Sequence, residues 1–228
     1  MDIKITPNKL GGIITVPASK SISHRAVICA ALADGESVIS NHLECVDTEA
    51  TMGAMSALDA KIAVDGSTVT VNGISVPSKK ADINCHESGS TLRFLMPVAA
   101  ALGTESTFFG RGKLPERPVT PYFTEFEKHG IIFNEKKMPY RFSGKLTSGE
   151  YTMSGDISSQ FITGLLFALP LLDGDSRITL TSPLQSKPYV DITIDCMKKF
   201  GVSVSEDEKG YTIKGNQRFT PCDYTVEG

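Results

Sequence analysis

Three short stretches decide the fold: Val69-Thr70-Val71-Asn72-Gly73, Tyr140-Arg141-Phe142-Ser143-Gly144 and Tyr211-Thr212-Ile213-Lys214-Gly215. In each stretch apolar and polar side chains alternate, as they do in a half-buried strand, and each stretch ends in glycine. The three final glycines are spaced at 71 and again at 71 residues. A repeat at a fixed period of this size indicates copies of one structural unit that pack against each other.

Two further sets of residues recur at corresponding positions of the three copies. Gly130 and Gly201 are also 71 residues apart, and each lies between a helical pattern and a β-branched run, while Asp59 stands at this place in the first copy. A third set of glycines closes an apolar helix in each copy, where glycine is favoured because it adopts positive φ at little cost. These are Gly35, Gly103 and Gly174.

The repeated unit therefore reads as helix, glycine turn, strand, loop, helix, strand, turn and strand. Three copies over roughly residues 20–215 predict one α/β domain of pseudo-symmetric units, with the helices inside and the sheets outside. A doubly wound sheet is not favoured, because no glycine-rich dinucleotide turn follows a strand.

Bulk properties exclude several classes of protein. The net charge of −3 gives no basic surface for nucleic acid, so any bound anion must be held by a local group of donors. The five cysteines and four histidines show no spacing typical of a metal or redox site, which indicates free thiols in a reducing cytoplasm. No apolar run is long enough for a membrane helix, and the N-terminus lacks the pattern of a signal peptide.

The first helix of each unit opens with a dense cluster of small polar residues. Serine is a favoured N-cap, which accounts for one or two residues in each cluster. Free backbone N–H groups at a helix start also favour phosphate and carboxylate, and the first cluster adds Lys20 and Arg25. The three units predict a common anion-binding face from the clusters Ser19-Lys20-Ser21, Glu87-Ser88-Gly89-Ser90-Thr91 and Ser158-Ser159-Gln160.

Two loops lie at matching points of the second and third units, between the strand and the second helix. They read Leu114-Pro115-Glu116-Arg117-Pro118 and Gln185-Ser186-Lys187-Pro188-Tyr189. In each loop a proline would fix the backbone near the helix start and aim a polar side chain, although simple loop capping explains the pattern equally well.

Five motifs together resemble the EPSP synthase (3-phosphoshikimate 1-carboxyvinyltransferase) family in order and approximate spacing, over nearly the whole chain. They are VPASKSISHRAV (16–27), ESGSTLRF (87–94), LPERPVTPY (114–122), SGDISSQFITGLL (154–166) and SKPYVDIT (186–193). The sister family of UDP-N-acetylglucosamine enolpyruvyl transferases shares the fold, but it typically carries Lys-Asn in place of Lys20-Ser21 and lacks the last two motifs.

The resemblance implies transfer of the enolpyruvyl group of phosphoenolpyruvate to the 5-hydroxyl of shikimate 3-phosphate, without metal or organic cofactor. Lys20 would lie between the two substrates as the catalytic residue. The family usually has Asn-Ala-Gly-Thr where this chain has Glu87-Ser88-Gly89-Ser90, so Glu87 is a departure, and we expect it to pair with Arg93. The residues implied for shikimate 3-phosphate are Lys20, Ser21, Arg25, Ser158, Ser159, Gln160, Ser186 and Tyr189; those for phosphoenolpyruvate are Lys20, Gly89, Ser90, Arg117 and Gln160.

The family's chains are nearly twice this length and contain two similar domains. By resemblance, residues 1–12 form a strand that crosses to the second domain, residues 13–222 form the shikimate-3-phosphate-binding domain, and residues 223–228 begin the return. The sequence leaves two alternatives open: the sister UDP-sugar enzyme, and an anion-binding module without catalysis. The expected location is the cytoplasm, and no nucleic-acid or membrane partner is expected.

Overall fold

The three apolar stretches after the polar clusters form central helices. The structure, a computed structural model, describes residues 3–4, 6–9 and 11–228. In the first of these helices every residue from Ser23 to Ala31 is buried, and a helix that is buried all round belongs to the core of a domain. The central helices are α1 (Lys20–Leu32), α3 (Gly89–Leu102) and α5 (Ser159–Ala168).

A second helix in each unit packs beside the central ones and keeps one face in solvent. In the last of these, Val190, Thr193, Cys196 and Met197 are buried, at the spacing of one helical stripe. The second helices are α2 (Val46–Ala57), α4 (Thr120–Lys128) and α6 (Lys187–Lys199).

Three four-stranded sheets cover the helices from outside. In strand β1 the residues alternate between exposed and buried, so that one face packs on the helices and the other meets solvent. The predicted fold class, with helices inside and sheets outside, is confirmed. The antiparallel strands are β1 (Glu36–Ser40), β2 (Lys61–Asp65), β3 (Thr68–Asn72), β5 (Glu105–Phe109), β6 (Ile131–Glu135), β7 (Tyr140–Gly144), β9 (Ser176–Leu180), β10 (Val204–Asp207) and β11 (Gly210–Ile213).

Each sheet has a fourth strand that the predicted unit lacked. These strands are β4 (Lys80–Asn84), β8 (Glu150–Met153) and β12 (Tyr224–Thr225), and each pairs in parallel with the first strand of a unit. The first unit receives its fourth strand from the far end of the chain, where Ile39 pairs with Tyr224 and Ser40 with Thr225. The three sheets thereby acquire the same strand order.

The two ends of the described chain meet beside the first unit. The backbone N–H of Ser19 donates to the carbonyl of Glu227 at 2.8 Å, and Val226 is buried. Residues 224–225 thus belong to the first sheet, while the domain boundaries and the return crossing stay predictions. Part of the predicted crossing strand 1–12 lies outside the described residues, and its described residues are exposed. Along the described chain no helix is both long and apolar enough to span a membrane.

The landmark after the second helix has the same backbone conformation in all three units. Gly130 and Gly201 have φ of +91° and +81°, and Asp59 has φ of +90°. A side chain is strained at this angle, whereas glycine is not. We therefore expect Asp59→Gly to raise the free energy of unfolding by about 1 kcal/mol, as measured by urea denaturation.

The ion pair between Asp59 and Lys61 is exposed, so that losing it costs little. Asp82→Gly, which removes an exposed aspartate from the interior of strand β4 instead, is the matched control and should destabilise the domain. If Asp59→Gly destabilised the domain as much as this control, the left-handed position would not be shared by the three units.

Candidate functional site

The starts of α1, α3, α5 and α6 meet around one cleft of about 360 Å³. Three arginines line it, and no aspartate or glutamate among the described residues does. Two larger depressions, of about 510 and 520 Å³, are lined by side chains of both signs and by none of the residues of the polar clusters. The lining residues of the cleft are Ser21, Arg25, Ser90, Arg93, Phe94, Arg117, Ser158, Ser159, Gln160, Ser186 and Tyr189.

One serine in each cluster caps its helix. The hydroxyl of Ser19 accepts from the N–H of Ile22, that of Ser88 from Thr91, and that of Ser158 from Gln160. Capping therefore uses one predicted site residue, Ser158, which also lines the cleft. Ser21, Ser90 and Ser159 follow the caps and stay available to a ligand, as the density of the clusters suggested.

Arg25 is 2% exposed and lies at the floor of the cleft. Its Nε donates to Thr193 Oγ1 at 2.7 Å, and its terminal nitrogens donate to the carbonyls of Ser21 and Tyr189 at 2.7 and 2.8 Å. The guanidinium also lies over the ring of Phe94, at 5.2 Å from the ring centre. All of these partners are uncharged.

A buried guanidinium without a counter-charge is unfavourable by itself. Burial lowers the pKa of Arg25 from 12.5 to about 10, which still leaves it charged at neutral pH. Burying an ion costs free energy unless an opposite charge compensates it, and an anion in the cleft would supply that charge. Among the described residues, no carboxylate lies within 4 Å of any cleft arginine.

Arg93 is a cleft residue that the sequence analysis did not assign to the site. It donates from Nη1 to Gln160 Oε1 at 2.6 Å and from Nη2 to the carbonyl of Pro118 at 3.1 Å, and it lies over the ring of Phe161. A signal was present in the sequence, because Arg93 follows Ser90 by three residues and so shares its helix face.

The expected pairing of Glu87 with Arg93 is wrong. Arg93 turns to α5 and to the loop of Pro118, as described above, while Glu87 is exposed and packs over Gly112. Gly112 has φ of +61°, and its lack of a side chain leaves room for the carboxylate. Glu87 is thereby accommodated outside the cleft, so its charge does not line the anion site.

Gly89 and Arg117 form the second cationic part of the site. A Cβ atom at Gly89, the first residue of α3, would lie 2.9 Å from Arg117 Nη1 and 3.8 Å from Arg93 Nη1. Glycine therefore lets the guanidinium group of Arg117 approach the helix start, and a side chain here would displace it. Gln160 connects this part with the rest of the cleft, since its Nε2 donates to Ser90 Oγ at 3.0 Å.

Lys20 lies at the edge of the cleft rather than in its wall. Its ammonium is half exposed and pairs with Asp47 at 2.7 Å, and hydrogen bonding to that carboxylate raises the pKa of Lys20. Asp47 lies in the first turn of α2, whose N-cap is Cys45. Lys20 therefore has a carboxylate partner that the sequence alone did not reveal.

The two proline-containing loops have different conformations. Leu114–Glu116 forms a short 3-10 turn that ends at Arg117. Ser186 is the N-cap residue of α6 with φ of +59°, and Tyr189 in the first turn presents its carbonyl to Arg25. The structure thus brings together every predicted binding residue except Lys20 and Gly89, which adjoin the cleft.

His24 should make the domain sensitive to acid. It is buried beside Arg25 with Nδ1 at 2.7 Å from Thr51 Oγ1, and burial lowers its pKa from 6.5 to about 3. The unfolded state therefore binds a proton at His24 that the folded state does not bind. The free energy of unfolding consequently decreases as the pH falls below about 6.5. Between pH 7 and pH 5 this residue should cost about 2 kcal/mol of unfolding free energy.

The measurement is urea unfolding of the wild type and His24→Asn at pH 7 and pH 5. The asparagine variant should lose about 2 kcal/mol less than the wild type between these values. His42, whose pKa burial also lowers, contributes equally to both proteins. An identical pH dependence in the two proteins would show that His24 is not held neutral by the fold.

The fold and the cleft define a class of protein: an α/β domain of three repeated units with a cationic, ligand-sized cleft at its helix N-termini. A sequence profile of EPSP synthase (3-phosphoshikimate 1-carboxyvinyltransferase) matches residues 5–228. The chain belongs to the EPSP synthase family.

Curated relatives agree with this assignment, and a solved structure has the same fold. The chain is 48% identical over 230 residues to 3-phosphoshikimate 1-carboxyvinyltransferase of Clostridium kluyveri, covering 99% of the chain and 54% of the relative. It is 46% identical over 238 residues to that of Clostridium beijerinckii, covering 100% and 55%. An EPSP synthase structure from Acinetobacter baumannii superposes with a TM-score of 0.80 at 23% identity, over 94% of this chain and 49% of the other. The chain spans about half the length of the curated relatives it matches.

Proposed function

We propose that this chain is the shikimate-3-phosphate-binding half of a 3-phosphoshikimate 1-carboxyvinyltransferase. The observation that carries the proposal is Arg25, a buried cation at the floor of a cleft that four helix starts surround, with no carboxylate partner among the described residues. Backbone N–H groups, hydroxyls and a guanidinium are the donors that a phosphate monoester needs. The family assignment favours this ligand over the UDP-sugar of the sister family.

The proposed division of the site follows the two cationic parts of the cleft. Arg25 would hold the phosphate of shikimate 3-phosphate. Arg117, beside the start of α3, would hold phosphoenolpyruvate, together with Gly89, Ser90 and Gln160. Lys20 would lie between the two substrates at the cleft edge. The other residues proposed for shikimate 3-phosphate are Ser21, Ser158, Ser159, Gln160, Ser186 and Tyr189.

The full reaction needs groups that the wall of this cleft does not supply. The 5-hydroxyl oxygen must lose a proton and bond to C2 of phosphoenolpyruvate while the methylene carbon gains a proton. The methyl group so formed must then lose a proton as phosphate leaves, which restores the carbon–carbon double bond of the enolpyruvyl group. General acid and base groups serve these proton transfers, yet no aspartate, glutamate or histidine among the described residues lines the cleft. We infer that a second domain supplies them, and that the 228-residue chain binds without turnover. We also propose a cytoplasmic location, which the five free cysteines support.

Calorimetric titration tests the proposed ligand. Shikimate 3-phosphate should bind saturably and more weakly than to a two-domain enzyme, because half of the closed cleft is absent. Shikimate, which lacks the phosphate, and UDP-N-acetylglucosamine should show no saturable heat at the same concentrations. Preferential binding of the UDP-sugar would overturn the proposal, and phosphate release by the isolated chain would overturn the inference about turnover.

A further inference from the structure

We propose that Thr193 is a positioning residue for Arg25, one that holds the guanidinium so that two of its N–H groups face the cleft. This inference rests on the proposed function, since it explains how the phosphate-binding group is presented. Thr193 lies on α6, fully buried, and is 168 residues from Arg25 in the chain.

The hydrogen bonds of Arg25 leave a defined pair of donors. A guanidinium carries five N–H groups. Thr193 Oγ1 takes the one on Nε, and the carbonyls of Ser21 and Tyr189 take one from each terminal nitrogen. One N–H on each terminal nitrogen then has no acceptor among the described residues. Two such neighbouring donors form the fork that binds a phosphate through two oxygens.

The hydroxyl of Thr193 is oriented to accept from Arg25. It donates its single proton to the carbonyl of Tyr189 at 2.8 Å, so its lone pairs are free for Nε. The same carbonyl accepts a hydrogen bond from a terminal nitrogen of Arg25. Arg25 on α1 is thereby hydrogen-bonded both to Thr193 and to the carbonyl that Thr193 itself contacts on α6. Thr163 Oγ1 lies 3.3 Å from the hydroxyl and limits its movement from the side of α5.

The ring of Phe94 packs against one face of the Arg25 guanidinium. Its ring centre lies 5.2 Å from the guanidinium carbon, and Phe167 and His24 contact the ring edge-on. The ring restricts tilt but not rotation within the plane. The three hydrogen bonds of the guanidinium restrict that rotation, and along the described chain the one from Nε to Thr193 is the only one whose acceptor is a side chain.

The first test requires no ligand. The Nε–H group of Arg25 should give a resolved ¹⁵N–¹H signal that exchanges slowly with water, identified by its disappearance in Arg25→Lys. Thr193→Val keeps the shape of the side chain but removes the hydroxyl, and it should make this exchange much faster. Thr193→Ser restores the hydroxyl and should restore the slow exchange. Unchanged exchange in Thr193→Val would overturn the proposal.

The second test measures binding. Thr193→Val should weaken shikimate 3-phosphate binding about tenfold, and Thr193→Ser should bind as the wild type does. In an Arg25→Ala background, Thr193→Val should cause no further loss, because the group it positions is gone. An equal loss in both backgrounds, or no rescue by serine, would indicate a merely structural role and overturn the proposal. If the wild type did not bind, the proposed function of the isolated chain would fail, while the exchange measurement would still decide the role of Thr193.

Discussion

Replacing Arg25 with alanine is expected to weaken binding of shikimate 3-phosphate by about a hundredfold or more, the largest functional effect that the structure predicts. Removing the guanidinium deletes the buried cation and takes away one hydrogen-bond donor from each of the carbonyls of Ser21 and Tyr189. The phosphate would then enter the cleft without a charge at its floor. Calorimetric titration of the wild type and the variant measures the loss.

Arg218→Ala is the matched control. Arg218 is exposed and lines a depression with Leu32, the last residue of α1, at the opposite end of that helix from the cleft. It removes the same charge from the chain and should leave the affinity unchanged. Circular dichroism shows whether each variant is folded. Equal affinities of a folded Arg25→Ala and the control would contradict the assignment of the phosphate to Arg25.

Gly164→Ala is expected to destabilise the domain by about 3 kcal/mol, although it adds only one methyl group. Gly164 lies inside α5 where this helix crosses α3, and a Cβ atom would collide with the carbonyl of Arg93 and the hydroxyl of Tyr122. That hydroxyl lies 2.7 Å from the carbonyl oxygen of Arg93 and 2.9 Å from that of Phe161 and can donate its one proton to either, so displacing it would leave buried polar groups unpaired. Urea unfolding gives the free energy.

Gly53→Ala provides the opposite expectation within the same fold. Gly53 lies in α2, is exposed, and has no atom within 4 Å of the place a Cβ would take. Alanine at this position should therefore raise the free energy of unfolding of the domain by about 0.5–1 kcal/mol through its higher helix propensity alone. Since propensity favours alanine at both positions, the sign of the change at Gly164 isolates the packing of the two helices. Stabilisation of both variants would contradict the close crossing of α3 and α5.

The repeat was predictable because backbone geometry selects its landmarks locally. A turn that needs positive φ selects glycine, and Gly130 and Gly201 mark that turn in two units. The serine clusters were predictable for a similar reason, since capping a helix involves residues three positions apart. Both signals can be read within a short window of sequence.

The parts that were missed depend on residues far apart in the chain. Strand β12 is two residues long and takes its place only by pairing with β1, across 185 positions between Ile39 and Tyr224. Arg93 meets Gln160 across 67 positions, and Lys20 meets Asp47 across 27. No periodicity encodes such pairs, so the partners of the cleft cations became known only from the packed helices.

Mapping shikimate 3-phosphate onto the ¹⁵N-labelled chain by amide chemical shifts tests the central claim most directly, namely that the helix starts around Arg25 hold the phosphate. Saturable shifts should concentrate at the starts of α1, α5 and α6, including Ser21, Ser159 and Tyr189, and shikimate at equal concentration should not produce them. Shifts centred on Lys198 and Lys199, or on the lysine-bearing depression around Lys209, would place the ligand elsewhere and contradict the claim.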